Sequence, residues 1–272
     1  MTLNARTELY GIIGNPVSHS LSPAMHNAAF AALKLNKAYA AFPVTDVAAA
    51  LAGLKALGIR GASVTIPHKQ AVIPYLDTID PVAEKIGAVN TLVIRDNALH
   101  GLNTDWIGAN RALTRVMPLK SSHLLLLGAG GSARAIGFGL IEAGATVTVA
   151  NRTAEKAAAL AAALGCPWVP IEAAATLKAD GLINATSAGM APHADQLPLP
   201  AEAITNFRVV MDIVYAPLET KLLATARAAG RIPVDGLEML LYQGAAQFEV
   251  WTGLSAPLEI MRQTLLANLP KP

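Results

Sequence analysis

The stretch HLLLLGAGGSARA, residues 123–135, decides how this chain is read. LLLLG reads as a strand, a helix of small residues runs from about Ser132 to Ala143, and TVTVA at 146–150 makes the next strand. Between the first strand and the helix, Gly128, Gly130 and Ala133 fall in the G-x-G-x-x-G/A spacing. The first glycine permits a tight turn, the second lets backbone amides approach a pyrophosphate, and the small third residue lets helix and strand pack closely. The helix start then turns its unpaired N–H groups toward the anion. A glycine turn alone is weak evidence, since strand–helix turns are common. Here the strand, the helix and the following strand are all in place, so Gly128, Ala129, Gly130, Gly131, Ser132 and Ala133 are read as a dinucleotide cradle.

The next strand ends at Ala150 and is followed by Asn151, Arg152 and Thr153, where an NAD-binding protein would usually offer Asp or Glu to the ribose. Arg152 and Lys156 supply positive charge instead, and Asn151 and Thr153 are neutral donors, which favours the 2′-phosphate of NADP. Cations at a helix start are mildly disfavoured by the helix dipole, so their presence points to a waiting anion. Thr153 is expected to cap the helix that follows. GLINAT at 181–186 and VVMDIV at 209–214 read as further strands, and 219–230 as a helix ended by Gly230. This alternation predicts a parallel sheet with helices on both faces. TSAGM, carrying Thr186, Ser187 and Met190, then reaches the carboxyl edge of that sheet, where the nicotinamide is expected.

Upstream, YGIIG, KAYAAFPV and GASVTI read as strands, with helices from Pro23 to about Leu35 and around 46–57. AVNTLVIR and ALHGLN, split by Asp96 and Asn97, carry a hairpin signal, so the first domain should hold a mixed sheet. In HSLSPAMHN, Ser20 and Ser22 are expected on an extended segment with hydroxyls pointing the same way, Ser22 capping a helix that Pro23 begins. Each other polar residue has an ordinary reading: Lys69 as a surface lysine in a first helical turn, Asn90 as a turn residue, Asp105 as a helix-start acid. DGLEMLLYQGAAQFEVWTG, 235–253, reads as a long helix that packs between domains and leads the chain back to the first.

Composition narrows the function classes. The 272 residues are 53% hydrophobic and 15% charged, and no apolar run approaches a membrane span. A net charge of +2 with scattered Lys and Arg argues against nucleic acid. The single Cys166 cannot form an internal disulfide and reads as a small, partly buried residue; the start MTLNARTELYGIIG lacks a secretory pattern. A cytoplasmic enzyme acting on a small molecule is expected, with no metal, and with monomer and homodimer both open.

SHSLSPAMHN, VTIPHK, AVNT, GLNTDWIG, GAGGSARA, NRT, NATSAGM, DIVYAP and GLEMLLYQGAAQF, in this order, resemble the shikimate dehydrogenase family along nearly the whole chain. The resemblance implies NADPH-dependent reduction of 3-dehydroshikimate to shikimate in the aromatic amino-acid pathway. It implies an α/β fold of two domains with a cleft between them: a substrate domain, 1–104 plus 239–272, and a Rossmann NADP domain, 105–238. By that resemblance Ser20, Ser22, Thr65, Asn90, Asp105 and Gln243 hold the substrate, Lys69 and Asp105 form the catalytic pair, and Tyr215 lies beside the reacting centre. Ile213, Gly236 and Met239 join the cofactor set. Gln247, one turn after Gln243, is open to substrate contact or to a domain contact. The family commonly has Asn where Ser63 stands; Ser63 is expected behind the ligand residues, supporting Thr65 and Lys69. A quinate/shikimate dehydrogenase on the same scaffold, possibly using NAD, is the near alternative. A non-catalytic NADP-binding regulator would be expected to lack Lys69 or Asp105, and a folate-pathway dehydrogenase would not need the paired serines.

Overall fold

The computed structural model describes residues 3–269, so the last residues of the expected substrate domain, 270–272, lie outside it. Two compact units emerge: one runs to Thr104 and resumes over Gln243–Leu269, the other is Asp105–Tyr242.

The first unit contains β1 (Glu8–Gly14), α1 (Ser22–Ala32), β2 (Lys37–Pro43), α2 (Val47–Ala56), β3 (Gly61–Val64), β4 (Thr78–Ile79), α3 (Pro81–Ile86), β5 (Thr91–Arg95) and β6 (Ala98–Leu102). Its six-stranded sheet has the order β2-β1-β3-β5-β6-β4. Strands β1, β2 and β3 are parallel, whereas β5 is antiparallel to both β3 and β6, so the sheet is mixed. The β5–β6 hairpin turns on Asp96 and Asn97, both at positive φ (51° and 60°), the left-handed geometry that a two-residue hairpin turn favours and that Asn and Asp tolerate. One face of the sheet buries Ile13, Leu51, Leu54, Val64 and Leu92 in a single cluster. Asp46 caps α2 by accepting from Ala49 N–H (3.0 Å).

The second unit contains α4 (Asp105–Thr114), β7 (His123–Leu127), α5 (Gly131–Glu142), β8 (Thr146–Asn151), α6 (Ala154–Leu164), β9 (Trp168–Pro170), α7 (Ile171–Ala174), β10 (Ala179–Asn184), β11 (Phe207–Asp212), α8 (Lys221–Ala228) and β12 (Ile232–Val234). Its sheet is parallel throughout, in the order β12-β11-β10-β7-β8-β9. Strand β7 is central and buried on both faces: Leu124 and Leu126 enter one core cluster, Leu125 and Leu127 the other. Each such leucine contributes about 2 kcal/mol by leaving water. The strand order reverses direction between β7 and β10, which is where an open parallel sheet leaves a crevice for ligands.

The chain then enters α9 (Gly236–Thr252), which begins in the second unit and ends in the first, and closes with α10 (Leu258–Ala267), packed on α1. Among the described residues no helix is long and apolar enough to cross a membrane, and no group of three or more His, Cys, Asp or Glu could hold a metal ion.

Candidate active site

In the first unit, expected substrate residues gather at the carboxyl edge of β1 and β3. Thr65 follows β3 directly and its N–H donates to the Ile13 carbonyl (3.0 Å). Gly14 must be glycine there, because a Cβ would lie 2.3 Å from Thr65 Cγ2. Since β5 opposes β3, its start lies at the same edge, and Val64 N–H donates to the Asn90 carbonyl (2.8 Å). Val89 N–H donates to the Lys69 carbonyl (2.8 Å), tying the Lys69 turn to the segment that carries Asn90. The buried Asn90 side chain accepts from Thr104 N–H (2.8 Å) and Thr91 Oγ1 (2.7 Å), and its Nδ2 donates to Gln243 Oε1 (3.4 Å). Thr65, Lys69, Asn90 and Gln243 are thereby brought to one place, with Lys69 half-buried.

The paired serines differ from expectation. Leu21 between them is helical (φ −84°, ψ −8°), so the segment is not extended and alternation does not set the hydroxyl directions. The helix starts at Ser22 itself, and Leu21 holds the cap position without a side-chain hydrogen bond. It is Ser20 whose hydroxyl accepts from Ser22 N–H (3.3 Å), leaving the Ser20 proton for another partner. Ser63 differs too. It does not support Thr65 or Lys69 through any hydrogen bond of its side chain; it bridges Tyr39 Oη (2.6 Å) and Gln247 Oε1 (2.8 Å). Gln247, 1% exposed, spends its amide on Ser63, the Asn90 carbonyl (3.1 Å) and Thr91 Oγ1 (3.0 Å), an arrangement of support rather than of ligand contact.

The second unit places its candidates at the carboxyl ends of β7, β8, β10 and β11. Gly128 has φ +111°, and a Cβ there would stand 2.7 Å from the Ala185 carbonyl, so only glycine fits the turn. Gly130 faces open space, with nothing within 4 Å of an added Cβ. Helix α5 starts behind it with no side-chain cap and no acid in its first turn, and Ala133 is fully buried against the sheet. Such a turn leaves the N–H groups of a helix start open to an anion. Past β8, Asn151 is half-buried while Arg152, Thr153 and Lys156 are exposed. Thr153 sits at the cap position of α6 but makes no capping bond, contrary to expectation; Asn151 Nδ2 instead donates to its carbonyl (3.1 Å). The donor set, two cations with no acid where a ribose 2′-hydroxyl would be read, fits NADP.

Thr186, Ser187 and Met190 lie on the loop after β10, and Ile213 and Tyr215 on the loop after β11. Burial pushes the Tyr215 phenol above its usual range. Gly236 and Met239 have packing duties: a Cβ on Gly236 would meet the Ile213 carbonyl at 2.4 Å, and Met239 is 7% exposed in the core. Asp105, the residue after Thr104, opens α4 and is 4% exposed. Cys166 is half-buried, and burial pushes its thiol up, away from reactivity.

Residues that spacing did not single out complete these loops. Asp212 and Asn184 end β11 and β10, both with no exposed surface. The Asp212 carboxylate accepts from Thr220 Oγ1 (2.7 Å), Asn184 Nδ2 (3.0 Å) and Val214 N–H (3.1 Å), while Asn184 Oδ1 accepts from Thr186 N–H (3.1 Å) and Oγ1 (2.6 Å). The only sequence signal was their position at the ends of apolar runs in NATSAGM and DIVYAP.

A parallel sheet opening on a glycine turn, with cations in place of the ribose acid, defines a dinucleotide-dependent oxidoreductase of the NADP type. Family models narrow this: residues 12–92 match the shikimate dehydrogenase substrate binding domain, 110–193 shikimate / quinate 5-dehydrogenase, and 236–266 the shikimate 5′-dehydrogenase C-terminal domain. A shikimate dehydrogenase (NADP(+)) of Moorella thermoacetica is 50% identical over 277 residues, covering 97% of this chain and 94% of that protein. A crystal structure of shikimate dehydrogenase in complex with NADP+ superposes with a TM-score of 0.94 at 41% identity, over 99% of this chain and 98% of the other. The Thermus thermophilus shikimate 5-dehydrogenase in complex with NADP(H) and shikimate gives a TM-score of 0.89 at 40% identity, over 96% of this chain and 100% of that one. The chain belongs to the shikimate dehydrogenase family.

Proposed function

We propose that this protein catalyses the reversible NADPH-dependent reduction of 3-dehydroshikimate to shikimate, as a cytoplasmic enzyme of aromatic amino-acid biosynthesis. The observation that carries the reading is the gathering of Thr65, Lys69, Asn90 and Gln243 at one sheet edge, in a chain half identical to a shikimate dehydrogenase (NADP(+)). Its substrate domain is the unit ending at Thr104 and resuming at Gln243, and its NADP domain the unit between.

Gly128–Ala133 and the start of α5 hold the pyrophosphate, Arg152 and Lys156 the 2′-phosphate, with Asn151 and Thr153 as neutral donors. The loops carrying Thr186, Ser187, Met190 and Ile213 border the nicotinamide, with Gly236 and Met239 packed behind them. When bound, the reduced nicotinamide supplies a hydride to the ketone carbon. The ketone oxygen then takes a proton from the Lys69 ammonium, giving the hydroxyl of shikimate; in reverse, neutral Lys69 accepts that proton. Asp105 orients Lys69 and accepts from a substrate hydroxyl. Ser20 and Ser22 hold the carboxylate, and Thr65, Asn90 and Gln243 the ring hydroxyls. Tyr215, its phenol kept protonated by burial, donates a hydrogen bond beside the reacting carbon.

The family description that names quinate beside shikimate supports a second reading, a dehydrogenase that accepts both. Initial rates with shikimate and quinate, each with NADP+ and NAD+, separate the two. Shikimate with NADP+ should dominate; no turnover of shikimate with either cofactor would refute the assignment. Lys69→Ala should lower kcat by about 10²-fold or more with KM for shikimate little changed. An intact kcat with a raised KM would make Lys69 a binding group only.

A further inference from the structure

A chain of buried polar groups runs behind the substrate edge, on three elements far apart in sequence. Tyr39 on β2, Ser63 on β3 and Gln247 on α9 are each at most 5% exposed. Their hydrogen bonds have a forced direction. Gln247 Nε2 donates to the Asn90 carbonyl (3.1 Å), which can only accept, so Oε1 of the same amide must face Ser63. Ser63 therefore donates to Gln247 (2.8 Å), and having one proton it must accept from Tyr39 Oη (2.6 Å). The Tyr39 proton is thereby committed as well. Only the lone pairs of its oxygen remain. At the other end, Gln247 Nε2 also donates to Thr91 Oγ1 (3.0 Å), whose proton goes to Asn90 Oδ1 (2.7 Å). One ordered series thus joins Tyr39 to Asn90 through buried groups.

We propose that Tyr39, Ser63 and Gln247 are positioning residues that fix the Asn90 amide in the orientation the substrate meets. This rests on the proposed function, since Asn90 is a substrate ligand only on that reading. None of the three needs to touch substrate. The series fails as a unit when one hydroxyl is removed, because a buried donor or acceptor is left unmade.

The test is steady-state kinetics of shikimate oxidation by Tyr39→Phe, Ser63→Ala and Ser63→Thr, with thermal melts to show that each is folded at assay temperature. Tyr39→Phe and Ser63→Ala should each raise KM for shikimate about 10-fold, with KM for NADP+ unchanged and kcat within about 3-fold, a loss of one hydrogen bond's worth of orientation. Ser63→Thr, which restores a hydroxyl, should recover most of that loss. A purely structural role would lower the melting temperature and leave KM alone, which overturns the proposal. So would equal KM values for Ser63→Ala and Ser63→Thr. If the unaltered protein does not oxidise shikimate, the functional reading fails and this inference goes with it; if it does and KM does not move, only this inference fails.

Discussion

His26 on α1 has no exposed surface, and neither ring nitrogen has a hydrogen-bond partner. It stacks on Tyr39 with centroids 4.6 Å apart and lies 5.2 Å from Trp251. Burial pushes its pKa down to about 3, with the nearby Gln247 amide pulling weakly the other way. The unfolded chain therefore binds a proton below pH 6.5 that the folded chain refuses until about pH 3, so the stability is full above pH 6.5 and is lost as pH falls. Between pH 6.5 and pH 5 the loss amounts to about 2 kcal/mol. His26→Leu removes the term: its melting temperature relative to the unaltered protein should rise by on the order of 5 °C on going from pH 7.5 to pH 5. A difference that stays constant across that range would show that His26 does not titrate as a sealed imidazole.

At the scale of elements, Asp212 supplies the opposite slope. It joins the exits of β10 and β11 through Asn184, Val214 and Thr220, and burial pushes its carboxyl up to about 6. The folded chain thus holds a proton between about pH 4 and pH 6 that the unfolded chain has released, and the stability this gives is lost as pH rises through 6, about 3 kcal/mol in all. Asn is the shape of the neutral acid: Oδ1 keeps Asn184 and Val214, and Nδ2 can donate to a rotated Thr220 hydroxyl. Asp212→Asn should therefore match the unaltered protein only below about pH 4, melt higher at pH 5 and higher still at pH 8, whereas Asp212→Ala, which leaves Thr220 and Asn184 without a partner, should melt lower than Asp212→Asn throughout. If Asp212→Asn melted lower at pH 8, the charge would be stabilising and the argument from burial wrong. None of this was legible in the sequence, because Asn184, Asp212 and Thr220 become neighbours only through sheet order. The elements themselves were legible where an apolar run or helical period was long: β7, α5, β8, the β5–β6 hairpin and α9 fall within a few residues of expectation. Strands β4, β9 and β12, of two or three residues, the last two containing proline, are too short to carry a period. The proposed ligand residues Ser20, Thr65 and Lys69 were picked out only through SHSLSPAMHN and VTIPHK, stretches shared with the family, since each has an ordinary reading by itself; Tyr39 and Gln247, set in apolar surroundings on separate elements, gave no sign of their partnership. The serine pair misled because the helical turn at Leu21 begins before the proline that was expected to start it.

At the scale of the whole molecule, the first unit is assembled from two stretches of chain and the second from one, and this makes their independence unequal. A fragment ending at Thr104 would lose the second half of α9 and all of α10. Phe248, whose ring lies 5.5 Å from that of Phe30, would be gone, as would Met261 and Leu265, all with no exposed surface. At about 1.5–3 kcal/mol for each large apolar side chain, that loss is comparable to the 5–15 kcal/mol by which a typical domain is stable. The Leu92 carbonyl would also lose Trp251 Nε1 (3.0 Å). Residues 1–104 alone should therefore show no cooperative melt by circular dichroism. Joining residue 104 to 243 should restore one, and a short glycine linker suffices, because Asn90 hydrogen-bonds both Thr104 and Gln243 and so holds the two ends together. Residues 105–242, which carry the complete parallel sheet, should melt cooperatively on their own and quench or enhance NADPH fluorescence on titration, with no response to shikimate. A cooperative melt from 1–104 alone would mean that the returning helices are ornament rather than core, and a folded 105–242 that ignores NADPH would remove the cofactor from the unit whose glycine turn and Arg152 point to it.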